Sequence, residues 1–228
     1  MMAKKIEPPL APEDAEVLAA LERETGVIPR VKKVGTLCIG YVAEDQRIVQ
    51  LGITNKPIRV LPEIIQNLSK LKILRIITLR KMRSLPDSIT ALESLEDIRI
   101  ELTGLTILPE DIGKLSNLTS LDVRFNNLKS VPDSIGDLQL LEVLCLRGNR
   151  LTSIPSSIGN LRSLKSLDLL RNQLFDLPVS IAHLESLKNL DIGENQLWRF
   201  PEHVNDMLKR MEKDGCTISR EPMRHTVS

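Results

Sequence analysis

LEVLCLRGNRLTSIPSSIGNLRS, residues 141–163, is followed without a gap by LKSLDLLRNQLFDLPVSIAHLES, residues 164–186. Both segments read L-x-x-L-x-L-x-x-N-x-L, two residues, an aliphatic, Pro, then I-x-x-L-x-x. An internal period of this kind decides a fold more firmly than any local propensity. Working outward, LTSLDVRFNNLKSVPDSIGDLQL starts at Leu118, LEDIRIELTGLTILPEDIGKLSN at Leu95 and LKNLDIGENQLWRFPEHVNDMLK at Leu187, so five consecutive units keep a 23-residue step. Two degenerate units precede them, from Ile48 and from Leu71. Alignment on Pro62, Pro86 and Pro109 gives the Leu71 unit one extra residue between Ile76 and Met82.

In L-x-L, two aliphatics at spacing two point to one side of a short strand and the residue between them points to solvent. Later apolar residues fall three apart, as at Pro155, Ile158, Leu161 and Leu164, which fits 3₁₀ turns opened by a proline. Each unit is therefore one coil of a solenoid. A single coil cannot bury enough aliphatic surface to fold alone, so neighbours must stack on both flanks and the ends need caps. The pattern resembles the leucine-rich-repeat family, in its intracellular type with L-P-x-x-I-x-x-L in the turn, over about 160 residues. The fold class it implies is an α/β leucine-rich-repeat arc whose concave face is a parallel β-sheet of about seven repeats. Residues 1–47 read as a tail, a capping helix over Pro12–Thr25 and a cap strand; 48–209 as the repeats; 202–220 as a C-terminal capping helix and strand; 221–228 as a tail.

The resemblance also implies that a turn Asn bonds backbone groups of the adjacent coil, and Asn126, Asn149, Asn172 and Asn195 stand at that place. Lys56, approximately Arg80, and Thr103 occupy it in the first three units. Lys and Arg only donate, so those turns need another shape.

The basic stretch KLKILRIITLRKMRSLP, residues 70–86, falls inside this period: Leu74-Arg75-Ile76 is the same strand triplet as Leu144-Cys145-Leu146. Its charges, Lys70, Lys72, Arg75, Arg80, Lys81 and Arg83, then belong to different parts of one coil. Binding of anionic lipid or nucleic acid through residues 70–83 is the alternative function they raise. A net charge of +1 and an aromatic content of 2% give little pull toward either, so neither membrane nor nucleic acid is expected as a partner.

Catalysis finds no foothold in the motifs. The chain has no G-x-x-x-x-G-K-[ST], no H-E-x-x-H and no paired cysteines, and His183, His203 and His225 are scattered. No metal or cofactor is expected, and the chain is not read as an enzyme. Cys38, Cys145 and Cys216 are odd in number and widely spaced, which fits a reducing compartment. With no apolar run near the N-terminus, the expected location is cytoplasmic.

Binding has more room. Seven strands about 4.8 Å apart make a face roughly 30 Å across. Its middle row runs Gly52, Arg75, Arg99, Asp122, Cys145, Asp168, Asp191; two positions later come Thr54, then Thr78 in an irregular register, Glu101, Arg124, Arg147, Leu170 and Gly193. Pairing of Arg99 with Asp122 and of Glu101 with Arg124 across strands is expected. Arg75, Arg99, Glu101, Asp122, Arg124, Arg147, Asp168 and Asp191, with Phe125 as an apolar anchor or as cover for its neighbouring turn, are the candidate partner-binding residues. The expected function is a monomeric scaffold or adaptor that binds a protein on this face. The resemblance implies a small GTPase or another signalling protein as partner. Reversing the charges of Arg99 and Arg124 is expected to weaken capture and spare stability.

Overall fold

The computed structural model describes residues 8–35, 39–56, 58–79, 81–196 and 202–220. Helix α1, Pro12–Thr25, comes first, then a hairpin of β1, Gly40–Glu44, and β2, Arg47–Thr54. Six further strands follow at coil spacing: β3, Ile73–Ile77; β4, Asp97–Glu101; β5, Ser120–Asp122; β6, Val143–Cys145; β7, Ser166–Asp168; β8, Asn189–Asp191. Helix α2, Glu202–Lys213, and β9, Thr217–Ser219, close the chain. The nine strands form one sheet in sequence order. Only β1 runs antiparallel to its neighbour. The fold is the leucine-rich-repeat arc that the period implies.

Five coils return along the opposite side through a short 3₁₀ segment that begins just after Pro62, Pro86, Pro132, Pro155 and Pro178, and in the third coil the segment is shorter, Ile112–Lys114. Between strand and return lies a single aliphatic core: Leu144, Leu146, Leu151, Ile158 and Leu161 of the fifth coil, and Leu164 at the start of the sixth, are all fully buried. The returns also pack tightly on one another. A Cβ on Gly136 would stand 2.4 Å from the Ser157 carbonyl oxygen, and one on Gly159 would stand 2.4 Å from that of Ser180. These two glycines are there because the next coil leaves no room.

The ends are covered differently. Fully buried Asp14 of α1 accepts the Ile48 N–H and lies 2.8 Å from Arg47 Nε, which pins the helix to the first repeat strand. Val17 and Leu21 fill the adjoining core. Outside β1, the Val31 N–H donates to the Tyr41 carbonyl and the Tyr41 N–H to the Pro29 carbonyl, so the hairpin does not present a bare edge. At the other end α2 buries Val204, Met207, Leu208 and Met211, taking the place of a 3₁₀ return. Gly215, at φ +95°, ends it, and the Cys216 N–H reaches back to Met211 O at 2.9 Å.

Candidate functional site

The residue at which each strand leaves the sheet has positive φ in all seven coils: Asn55, Thr78, Leu102, Phe125, Gly148, Arg171 and Glu194. That mark fixes the register of the irregular second coil. The position after it, held by Asn126, Asn149, Asn172 and Asn195 later in the chain, is held by Leu79, fully buried, and not by Arg80. The inserted residue therefore falls within 80–81, and Arg80 itself lies outside the described residues. The sequence could have given this answer, because Leu79 stands three after Ile76 as Asn149 stands three after Leu146; alignment on the prolines placed the frame one residue late.

The four Asn side chains make one repeated set of bonds. The Asn149 Oδ1 accepts the Leu128 N–H at 3.0 Å, while its Nδ2 donates to Val123 O at 3.0 Å and to Leu146 O at 2.9 Å. Asn172 and Asn195 repeat this one and two coils on. Asn126 faces a coil whose turn carries Thr103, and its Oδ1 accepts from Thr103 N–H, Thr103 Oγ1, Gly104 N–H and Leu105 N–H. In the second coil the Met82 N–H closes on Leu79 O of its own turn, at 2.8 Å.

The concave face has a similar division. Asp122 Oδ1 accepts the Arg124 N–H, Asp168 Oδ1 the Leu170 N–H and Asp191 Oδ1 the Gly193 N–H, at 3.0–3.2 Å. The Cys145 sulfur receives the Arg147 N–H in the same way. Each of these side chains takes an N–H that would otherwise pair along the sheet, so their strands end after three residues. Gly52, Arg75 and Arg99 cannot do this, and pairing runs on through Thr54, Ile77 and Glu101. Ile77, buried, is thus the residue in the row where Thr78 was expected.

The charges on the N-terminal half are neutralised among themselves. Arg75 holds Asp97 through two bonds, at 2.7 and 2.9 Å. Arg99 binds Glu101 of its own strand and reaches Asp122 only at 3.7 Å. Arg124 grips Asp122 of its own strand at 2.6 and 2.8 Å, which pushes its guanidinium pKa up. Arg99 does approach Asp122, but the expected Glu101–Arg124 pair is replaced by bonds along each strand, since a side chain two residues away on the same face is as near as one across the ladder. Charge reversal at Arg99 and Arg124 would set carboxylates against Glu101 and Asp122, so the expectation that it spares stability does not hold.

Phe125 is engaged locally. A Cβ on Gly148 would lie 2.6 Å from its ring, and Arg147 sits over the ring with its guanidinium carbon 5.9 Å from the ring centre. It covers the neighbouring turn and leaves Leu102, 45% exposed, as the more open apolar group on that edge. Cys145 is buried, its Sγ 3.5 Å from Asp168 Oδ2, and burial pushes the thiol up to about 12. His183 and His203 are exposed, and among the described residues no three His, Cys, Asp or Glu side chains are grouped to hold a metal.

The basic stretch disperses: Lys72 pairs with Glu96, Arg75 with Asp97, Lys70 is exposed before β3, and Lys81 and Arg83 are exposed beyond the turn. Among the described residues no helix is long and apolar enough to cross a membrane.

A solenoid with one strand and one 3₁₀ return per 23 residues defines a class of repeat protein, and known proteins place it further. The leucine-rich repeat region family matches residues 97–173. A leucine-rich-repeat protein of Leptospira interrogans is similar at 32% identity and TM-score 0.51, over 69% of this chain and 46% of that one. A plant ice-binding protein aligns at 25% identity and TM-score 0.70, over 85% and 66%. The fold is also shared, at 21% identity and TM-score 0.53 over 68% and 23%, by the leucine-rich-repeat ectodomain of a plant membrane receptor kinase from Arabidopsis thaliana in complex with Casparian strip integrity factor 2. Comparison with curated protein sequences returns no match. The chain belongs to the leucine-rich-repeat family, and it spans about half the length of the Leptospira protein.

Proposed function

We propose that this chain is a non-catalytic protein-interaction module, a scaffold or adaptor working in the cytoplasm as a monomer, that binds a partner protein on its concave sheet face. The observation that carries this reading is the face itself: adjacent parallel strands hold charged side chains in fixed register, from Arg75 on β3 to Asp191 on β8. Rigid placement lowers the ordering cost of binding, and paired charges set orientation and encounter rate more than affinity. The Arabidopsis ectodomain, alike in fold alone, is seen in complex with a partner. A small GTPase or another signalling protein is the partner class that the family resemblance suggests.

The test is occlusion. Ser120 and Ser166 point out of the concave face, whereas Ser156 is exposed on a 3₁₀ return. Affinity capture from native lysate with Ser120→Trp/Ser166→Trp should lose the partner that the wild type and Ser156→Trp retain, with all three melting alike. Retention by the concave variant together with loss by Ser156→Trp would move the site to the outer side.

A further inference from the structure

The two halves of the concave face differ in what they leave unsatisfied. On β3 to β5, Arg75, Arg99 and Arg124 are matched by Asp97, Glu101 and Asp122, so a partner's charge would have to displace an ion pair already made. On β7 and β8 the situation is the reverse. Asp168 and Asp191 stand side by side in the parallel ladder, each with one oxygen on a backbone N–H; the second Asp168 oxygen takes the Cys145 thiol at 3.5 Å, and neither carboxylate makes an ion pair among the described residues. Arg147, the basic side chain nearest in the row, is laid over the Phe125 ring and makes no ion pair among the described residues. Arg171 is committed to Glu194 at 2.7 Å. Burial raises the Asp191 pKa, and the Asp168 charge adds to it; the Gly193 N–H and the more distant Arg147 charge offset it only in part.

Beside the two aspartates the next row carries Leu170, half-buried, and Gly193, which has no side chain. Two carboxylates beside an apolar side chain and a glycine suit a long side chain with a methylene stem and a cationic head. We infer that the C-terminal half of the concave face receives an arginine or lysine side chain of the partner, its head between Asp168 and Asp191 and its stem along Leu170 and Gly193. This rests on the concave-face reading and names the chemistry of the partner there: a basic side chain. The N-terminal half then acts as a preformed, nearly neutral surface that a partner lies against.

The probe is N-acetyl-arginine amide at millimolar concentration, followed by amide shifts of the isotope-labelled chain, with the N-acetyl-lysine and the uncharged N-acetyl-citrulline amides as further arms. Arginine or lysine should shift the amides of Asp168, Leu170, Asp191 and Gly193, citrulline should not, and high salt should suppress the effect. Asp168→Asn/Asp191→Asn keeps an oxygen for each backbone N–H and should weaken binding about fivefold or more. Equal shifts with citrulline, shifts confined to other strands, or no loss in the double variant would overturn the assignment. If these fail while tryptophan occlusion still abolishes partner capture, the interaction face stands and this subsite falls; if both fail, both fall.

Discussion

The first three coils and the last four use the same strand and return but satisfy their backbones by different means. From Asn126 onward a turn Asn ties each coil to the one before it, and Asp122, Cys145, Asp168 and Asp191 cap the ends of their own strands. In the first three coils the strands are longer, the ladder itself takes up the N–H groups, and Leu79 fills with carbon the place where an amide would bond. The lesson is that backbone accounting, and not the identity of the turn residue, is what a coil must satisfy. Two chemistries close the same sum.

If that division is correct, the largest effect belongs to Asn149→Ala. It strands the buried Leu128 N–H and removes one of two bonds from each of the Val123 and Leu146 carbonyls, which still accept from Asn126 and Asn172. At about 1–3 kcal/mol for the buried N–H left unpaired, with a smaller loss from the two thinned carbonyls, a destabilisation of about 2–4 kcal/mol is expected in urea titration. A loss below about 1 kcal/mol would show that water or a shifted turn can replace the ladder. Leu79→Asn sharpens the comparison from the other side. Its amide would meet an aliphatic site whose neighbouring Met82 N–H is already bonded to Leu79 O. We expect it to destabilise by about 2 kcal/mol despite restoring the residue of the later coils; a neutral or stabilising result would mean that the second coil can adopt the same ladder.

Much of this was legible beforehand, for a physical reason: a stacked coil repeats its burial pattern, so Leu144, Leu146 and Ile158 announce themselves through their counterparts one period away. The strands, the 3₁₀ returns and the extent of α1 followed. The concave face was less legible. Which residues share it follows from period two, but whether Arg99 turns to Glu101 or to Asp122 depends on rotamers, and the sequence carries no repeat of those. The capping by aspartate was readable in principle, since L-D recurs at Asp122, Asp168 and Asp191, but it looks like a row of exposed charge until the i+2 N–H groups are traced. Docking of α1 through Asp14 had no signal at all, because a lone acid in a first helical turn is ordinary.

The smallest expected effect concerns Cys145, where the capping row departs from aspartate. A carboxylate there would lie between Asp122 and Asp168 on strands about 4.8 Å apart; sulfur accepts the Arg147 N–H without adding that repulsion. Burial with two flanking acids raises the thiol from its ordinary 9.0 to about 12. The unfolded chain therefore ionises first, so this group leaves stability untouched at neutral pH and lowers it as pH rises between 9.0 and about 12. At pH 8 alkylation of Cys145 by iodoacetamide, followed by peptide mass, should run about a thousandfold slower than for a free thiol, and recover in urea. Rapid labelling of the folded chain would show that the sulfur is open on the concave face, and the capping role assigned to it would then fall while those of the three aspartates remained.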